Sequence, residues 1–124
     1  MKLLVVDDSG IMRKVIINEL LKLKFTKEDI AEAADGQEAV KAALDGSYAL
    51  ILMDWNMPNM LGIDAVAAIR ACGVTTPILM VTTEGEKTNV IKAIQAGANN
   101  YLVKPFTPES LKEKVAALLP ALPV

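Results

Sequence analysis

Four short apolar runs punctuate the chain, and each ends in a residue able to engage phosphate or a metal ion. Leu3-Leu4-Val5-Val6 leads into Asp7-Asp8, and Ala49-Leu50-Ile51-Leu52-Met53 leads into Asp54. Ile78-Leu79-Met80-Val81 ends in Thr82-Thr83, and Tyr101-Leu102-Val103 ends in Lys104-Pro105. Runs this short and this uniformly apolar fit strands buried on both faces.

Between the runs the period changes to that of helices. A first strand over 2–7 leads to a helix over 10–24, with Ile11, Met12, Val15, Ile16 and Leu20 on one side and Arg13, Lys14, Asn18 and Lys22 on the other. A short strand near 29–33 precedes Asp35-Gly36-Gln37-Glu38, where Asp35 is placed to cap and Glu38 to reach back as in a capping box. That helix should end near Asp45-Gly46. Strands over 49–53, 77–82 and 99–103 alternate with helices over 62–72 and 86–96, the latter closed by Gly97. Asn56-Met57-Pro58-Asn59 reads as a turn, and Thr107-Pro108-Glu109 opens the last helix with a capping hydroxyl and a first-turn proline. Five strand–helix units imply an α/β fold, a parallel sheet with right-handed crossovers. The C-terminal ends of its strands then share one edge, where open α/β sheets place their ligands.

Composition narrows the chemistry. At 124 residues and 52% hydrophobic, the chain fits one domain with helices over both faces of a sheet. A net charge of -2 offers no electrostatic case for nucleic acid. The absence of histidine removes mechanisms that need an imidazole base, nucleophile or ligand, so any phosphohistidine must come from a partner. The single cysteine, Cys72, excludes an internal disulfide and reads as a helix-end or partly buried residue compatible with a reducing cytoplasm. No apolar stretch approaches the ~18 residues of a membrane span, and four apolar residues after Met1-Lys2 are too few for a signal peptide. One domain over 1–124 with no output domain is expected.

The residues at the strand ends each admit two readings. Asp7-Asp8 suit a hard, oxygen-seeking cation, of which Mg2+ fits best, or one of them caps the following helix. Asp54 is a metal ligand, a nucleophile, both, or a solvated strand end. Three carboxylates together raise the proton affinity of at least one unless a cation intervenes. Lys104 suits a phosphate oxygen, or pairs with Asp54 when none is present, and its step to Pro105 admits a cis bond. Thr82 either donates to the same oxygens or is a structural strand residue.

Taken together, Val5-Val6-Asp7-Asp8-Ser9, Met53-Asp54-Trp55-Asn56-Met57-Pro58-Asn59-Met60, Val81-Thr82-Thr83-Glu84 and Tyr101-Leu102-Val103-Lys104-Pro105-Phe106-Thr107 resemble the receiver domain of bacterial two-component response regulators. The likeness spans the whole chain and is strongest to single-domain members of chemotaxis type. It implies a flavodoxin-like (βα)5 three-layer sandwich with strand order 2-1-3-4-5. It implies that Asp54 accepts a phosphoryl group from a sensor histidine kinase. Asp8, Asp54 and the backbone carbonyl of Asn56 would bind Mg2+ directly, with Asp7 acting mainly through water. Lys104 and Thr82 would hold phosphoryl oxygens, and Tyr101 would switch inward as Thr82 moves.

The resemblance further implies a cytoplasmic monomer that is not an enzyme on other substrates. It would bind the flagellar motor switch or another protein target, with a phosphatase as a further partner and no membrane or nucleic-acid contact. The family's output face would include Lys87, Val90, Lys92, Tyr101, Val103, Phe106 and Lys114. Gly10 and Leu61 depart from the family pattern, where a larger or polar residue and an acid are common. Asn56 and Glu84 flank the site at positions that tune phosphoryl lifetime in the family, implying a short-lived phosphoaspartate. The alternatives are a phosphorelay intermediate or phosphate sink, and a Mg2+-dependent aspartyl phosphohydrolase. The last is opposed by Asn56, where such enzymes carry a second acid.

Overall fold

The structure is a computed structural model and describes residues 2–119. Five strands form one parallel sheet: β1 (Leu3–Val6), β2 (Ile30–Ala33), β3 (Leu50–Met53), β4 (Ile78–Thr82) and β5 (Asn100–Val103). Their order is β2-β1-β3-β4-β5, as the family resemblance implied. The helices are α1 (Gly10–Lys22), α2 (Gly36–Asp45), α3 (Gly62–Ala71), α4 (Lys87–Ala96) and α5 (Pro108–Leu118). Each expected element is present, with ends displaced by one or two residues. A 3-10 turn at Lys27–Asp29, closed by a capping box between Thr26 and Asp29, was not anticipated.

Alternation along the strands splits the core into two layers. Leu4, Val6, Ile51, Met53, Ile78 and Met80 pack with buried residues of α2, α3 and α4. Leu3, Val5, Leu50, Leu52, Leu79 and Val81 pack with Ile16 and Leu20 of α1 and Leu111 and Val115 of α5. Every residue of β1, β3 and β4 is buried. At about 1.5–3 kcal/mol for each large apolar side chain fully buried, the central strands supply most of the drive that aligns the sheet.

The apolar side of α1 is narrower than its sequence implies. Ile11 is 78% exposed and Val15 43% exposed. Both lie off the stripe of Met12, Ile16 and Leu20 through which α1 packs with the sheet and α5. The start of α2 also differs in detail. Asp35 accepts the Glu38 amide at 2.8 Å, but the Glu38 carboxylate reaches past the cap to the Ala34 amide at 3.2 Å. Cys72 is the C-cap of α3 and is exposed. The Lys104–Pro105 peptide is cis. Among the described residues no helix is long and apolar enough to cross a membrane. Pro120–Val124 lie outside the described residues.

Candidate functional site

The edge where β1, β3, β4 and β5 end gathers the expected residues. Asp7 follows β1, Asp54 follows β3, Thr82 ends β4 and Lys104 follows β5. Asp7, Asp54 and Thr82 are buried, whereas Asp8 and Asn56 are exposed at the mouth. Carboxylate oxygens of Asp7, Asp8 and Asp54 all lie within 4.8 Å of one another.

Asp7 is held by three donors. Its Oδ1 accepts the Ser9 amide at 2.9 Å, and its Oδ2 accepts Lys104 Nζ at 2.6 Å. Its main-chain carbonyl accepts Arg13 Nη1 at 2.6 Å. Asp54 is held less completely: Oδ1 accepts the Trp55 amide at 2.8 Å, while Oδ2 stands 3.7 Å from Lys104 Nζ. Lys104 therefore favours Asp7 over Asp54. Burial, and then the neighbouring Asp7 charge, push the Asp54 carboxyl above its usual value, with Lys104 opposing.

This donor set fits a hard divalent cation. Three carboxylates face one lysine, all the side-chain ligand atoms are oxygen, and the Asp54 charge is under-compensated. Asp7, Asp8 and Asp54 would hold such an ion, with the Asn56 carbonyl on the loop beside them.

The loop between β3 and α3 is pinned at both ends. Gly62 donates its amide to the Trp55 carbonyl at 2.8 Å, and a Cβ at Gly62 would lie 1.8 Å from the Asp54 carbonyl oxygen. Asn59 adopts a left-handed conformation, φ 68, and its Nδ2 donates to Asp35 Oδ2 at 2.7 Å. The Glu38 amide first, and then Asn59, hold the Asp35 carboxyl below its usual value. At the mouth, Asn56 Nδ2 donates to Glu84 Oε1 at 2.8 Å, and Asn89 Nδ2 of α4 donates to Glu84 Oε2 at 3.3 Å.

The two expected switch residues meet through Glu84. Its amide donates to Thr82 Oγ1 at 3.3 Å, and its carbonyl accepts the Tyr101 hydroxyl. Tyr101 occupies a buried position, and its phenol is pushed up to about 12 by burial and by the nearby charges of Glu84 and Asp54. Of the expected output face, Lys87, Lys92 and Val103 are exposed, Val90, Phe106 and Lys114 half-buried.

Sequence reading missed the contacts of Arg13, Asn59 and Asn89, and gave Asp35 its cap but not its bond from Asn59. Helical period places Arg13 on the solvent side of α1, and neither it nor Asn89, inside α4, carries a turn or cap signal.

Residues 3–116 match the response regulator receiver domain family. The chain is 50% identical to the chemotaxis protein CheY1 of Helicobacter pylori (strain J99 / ATCC 700824), covering 96% of this chain and 97% of that one. It is 47% identical to the chemotaxis protein CheY of Pseudomonas aeruginosa, covering 93% of each. Among solved structures it is similar to the chemotaxis response regulator CheY4 of Vibrio cholerae, with TM-score 0.85 and 36% identity over 94% of this chain and 97% of that one. The chain belongs to the response regulator receiver domain family, as a receiver of the chemotaxis CheY type.

Proposed function

We propose that this receiver is a phosphorylation-switched chemotaxis regulator of the cytoplasm. Asp54 takes a phosphoryl group from a phosphohistidine on a sensor kinase, and the modified protein binds a downstream target, the flagellar motor switch. The observation that carries this reading is the convergence of Asp7, Asp8 and Asp54 with Lys104 and Thr82 at one sheet edge. The CheY relatives, all chemotaxis proteins by name, support the choice of target class.

In the transfer, a carboxylate oxygen of Asp54 attacks phosphorus. The O–P bond forms as the P–N bond to the donor imidazole breaks, and the imidazole keeps that electron pair and takes up a proton. Such a transition state needs alignment and charge neutralisation more than covalent help. A bound Mg2+, which Asp8, Asp54 and the Asn56 carbonyl would hold with Asp7 beside them, would supply part of that neutralising charge. Lys104, 3.7 Å from Asp54 Oδ2, is near enough to turn from Asp7 toward a phosphoryl oxygen. Thr82 presents its hydroxyl to the same group. When it does so, the Glu84 amide loses its acceptor, and the loop that also holds the Tyr101 hydroxyl is released to shift. Asn56 and Glu84 stand at the mouth where water would attack the acyl phosphate, and the phosphoaspartate is short-lived. The protein acts on its own phosphoryl group and on no separate substrate.

Intact-protein mass after incubation with Mg2+ and acetyl phosphate tests this. One phosphoryl gain is expected, dependent on Mg2+, decaying with time and absent from Asp54→Asn. No gain, or equal gain in the variant, removes Asp54 as acceptor. Binding of the modified form to an isolated motor switch protein, rather than transfer to a histidine phosphotransfer protein, separates the motor output from a relay.

A further inference from the structure

We propose that Arg13 is a positioning residue of the phosphorylation site, orienting Asp7 and Asp8 for the divalent cation through the peptide that joins them. The inference rests on the Mg2+ reading above and deepens it.

Asp7 lies one residue beyond β1, and its carbonyl accepts Arg13 Nη1 at 2.6 Å. The same guanidinium donates from Nε to Glu32 Oε1 at 2.8 Å, on the neighbouring strand β2. The planar fork of arginine spans these two acceptors, a geometry that the single point charge of lysine does not reproduce. A peptide unit is rigid, so holding the Asp7 carbonyl oxygen holds the plane that contains the Asp8 amide and leads to its Cα. The Asp7 carboxylate is meanwhile fixed by the Ser9 amide and Lys104. Two of the three clustered carboxylates thus hang from one clamped peptide.

Charge placement fits the role. Arg13 meets the site through a carbonyl and not a carboxylate, and Glu32 balances its charge. It orders the acids without neutralising the negative field that draws a cation. The Arg13 side chain is 20% exposed, so the contact is shielded from competing water.

The test is a Mg2+ titration followed by the fluorescence of Trp55, the only tryptophan, whose amide bonds Asp54 Oδ1. Wild type, Arg13→Ala, Arg13→Lys and Glu32→Gln are compared, with thermal unfolding of each. Loss of a group that orients a metal ligand typically weakens metal binding about 10-fold or more. Arg13→Ala should weaken Mg2+ binding by about that factor, Arg13→Lys by several-fold, and Glu32→Gln least. At saturating Mg2+, phosphorylation of Arg13→Ala by acetyl phosphate should return to near the wild-type rate, a split that simple loss of stability does not produce. If Arg13→Ala does not fold, Arg13→Lys decides alone. Variants that melt earlier yet bind Mg2+ as wild type does overturn the proposal. A wild type with no Mg2+ response overturns the reading of the site, and this proposal with it.

Discussion

Lys104 places its ammonium 2.6 Å from Oδ2 of Asp7 across 97 residues of chain, joining the ends of β1 and β5. Its distance to Asp54 is 3.7 Å. The resting site therefore pairs its lysine with Asp7 and leaves the charge of Asp54, the proposed phosphoacceptor, short of compensation.

That imbalance sets a pH dependence. Burial and Asp7 raise the Asp54 carboxyl above its ordinary 3.8, so the folded state binds that proton more tightly than the unfolded chain does. The stability this contributes is complete below pH 3.8 and is lost as pH rises through the raised value. Ionised Asp54 thus costs stability at pH 7, and Asp54→Asn should be more stable there, on the order of 1 kcal/mol or a few degrees in Tm. The gain should vanish by pH 3. Urea unfolding at the two pH values checks both parts.

The strand ends were legible because β1 and β3 are apolar throughout and β4 is apolar up to Thr82, so the first polar residue of each run marks the crevice edge. Nothing comparable announced Arg13. Its acceptor is a main-chain carbonyl, which has no letter of its own in the sequence, and helical period placed Arg13 among solvated charges. The same period placed Ile11 and Val15 against the core, because a pattern shows which side is apolar and not how wide a stripe the neighbouring helix covers. The turn at Lys27–Asp29 did carry a signal, Thr26 followed three residues later by Asp29, but no apolar run beside it.

Two glycines should behave in opposite ways. A Cβ at Gly62 would sit 1.8 Å from the Asp54 carbonyl oxygen, so Gly62→Ala forces the backbone of the proposed phosphoacceptor to move. A loss of about 3 kcal/mol or more is expected, with weakened Mg2+ binding. A Cβ at Gly10 would meet only Arg13 Nη2, at 3.5 Å. Gly10 opens α1, and Gly10→Ala should stabilise the protein by about 0.5–1 kcal/mol through the unfolded state. Denaturant midpoints of the two variants decide this.

Tyr101 should titrate late. Burial, then Glu84 and Asp54, push its phenol up to about 12 from 10.0. The stability this contributes is complete below pH 10 and is lost as pH rises toward 12. In a Tyr48→Phe background, phenolate absorbance should appear near pH 12, and Tyr101→Phe should flatten the alkaline loss of stability. A midpoint near 10 with the fold intact would show that the phenol is not buried beside those two charges.

At the far end of α4 a second arginine, Arg70 of α3, anchors the helix that carries part of the proposed output face. Arg70 donates Nε to the Gly97 carbonyl at 3.0 Å, Nη1 to the Val74 carbonyl at 2.9 Å and Nη2 to Asn99 Oδ1 at 2.8 Å. Asn99 in turn accepts the Ile78 amide at 2.9 Å, so one guanidinium ties α3, the end of α4 and the start of β4 together. Gly97 closes α4 at φ 123, and a Cβ there would lie 2.6 Å from Arg70 Cγ. Truncation leaves three acceptors without their donor, each bond to a charged group being worth about 1.5–3 kcal/mol before solvent replaces it. Arg70→Ala should cost about 2–4 kcal/mol in urea unfolding, and Arg70→Lys, which reaches one acceptor at a time, less. Amide exchange should rise at residues 97–99 while the strand end at Asp54 stays protected. A uniform rise would mean that Arg70 supports the whole domain and not the anchorage of α4.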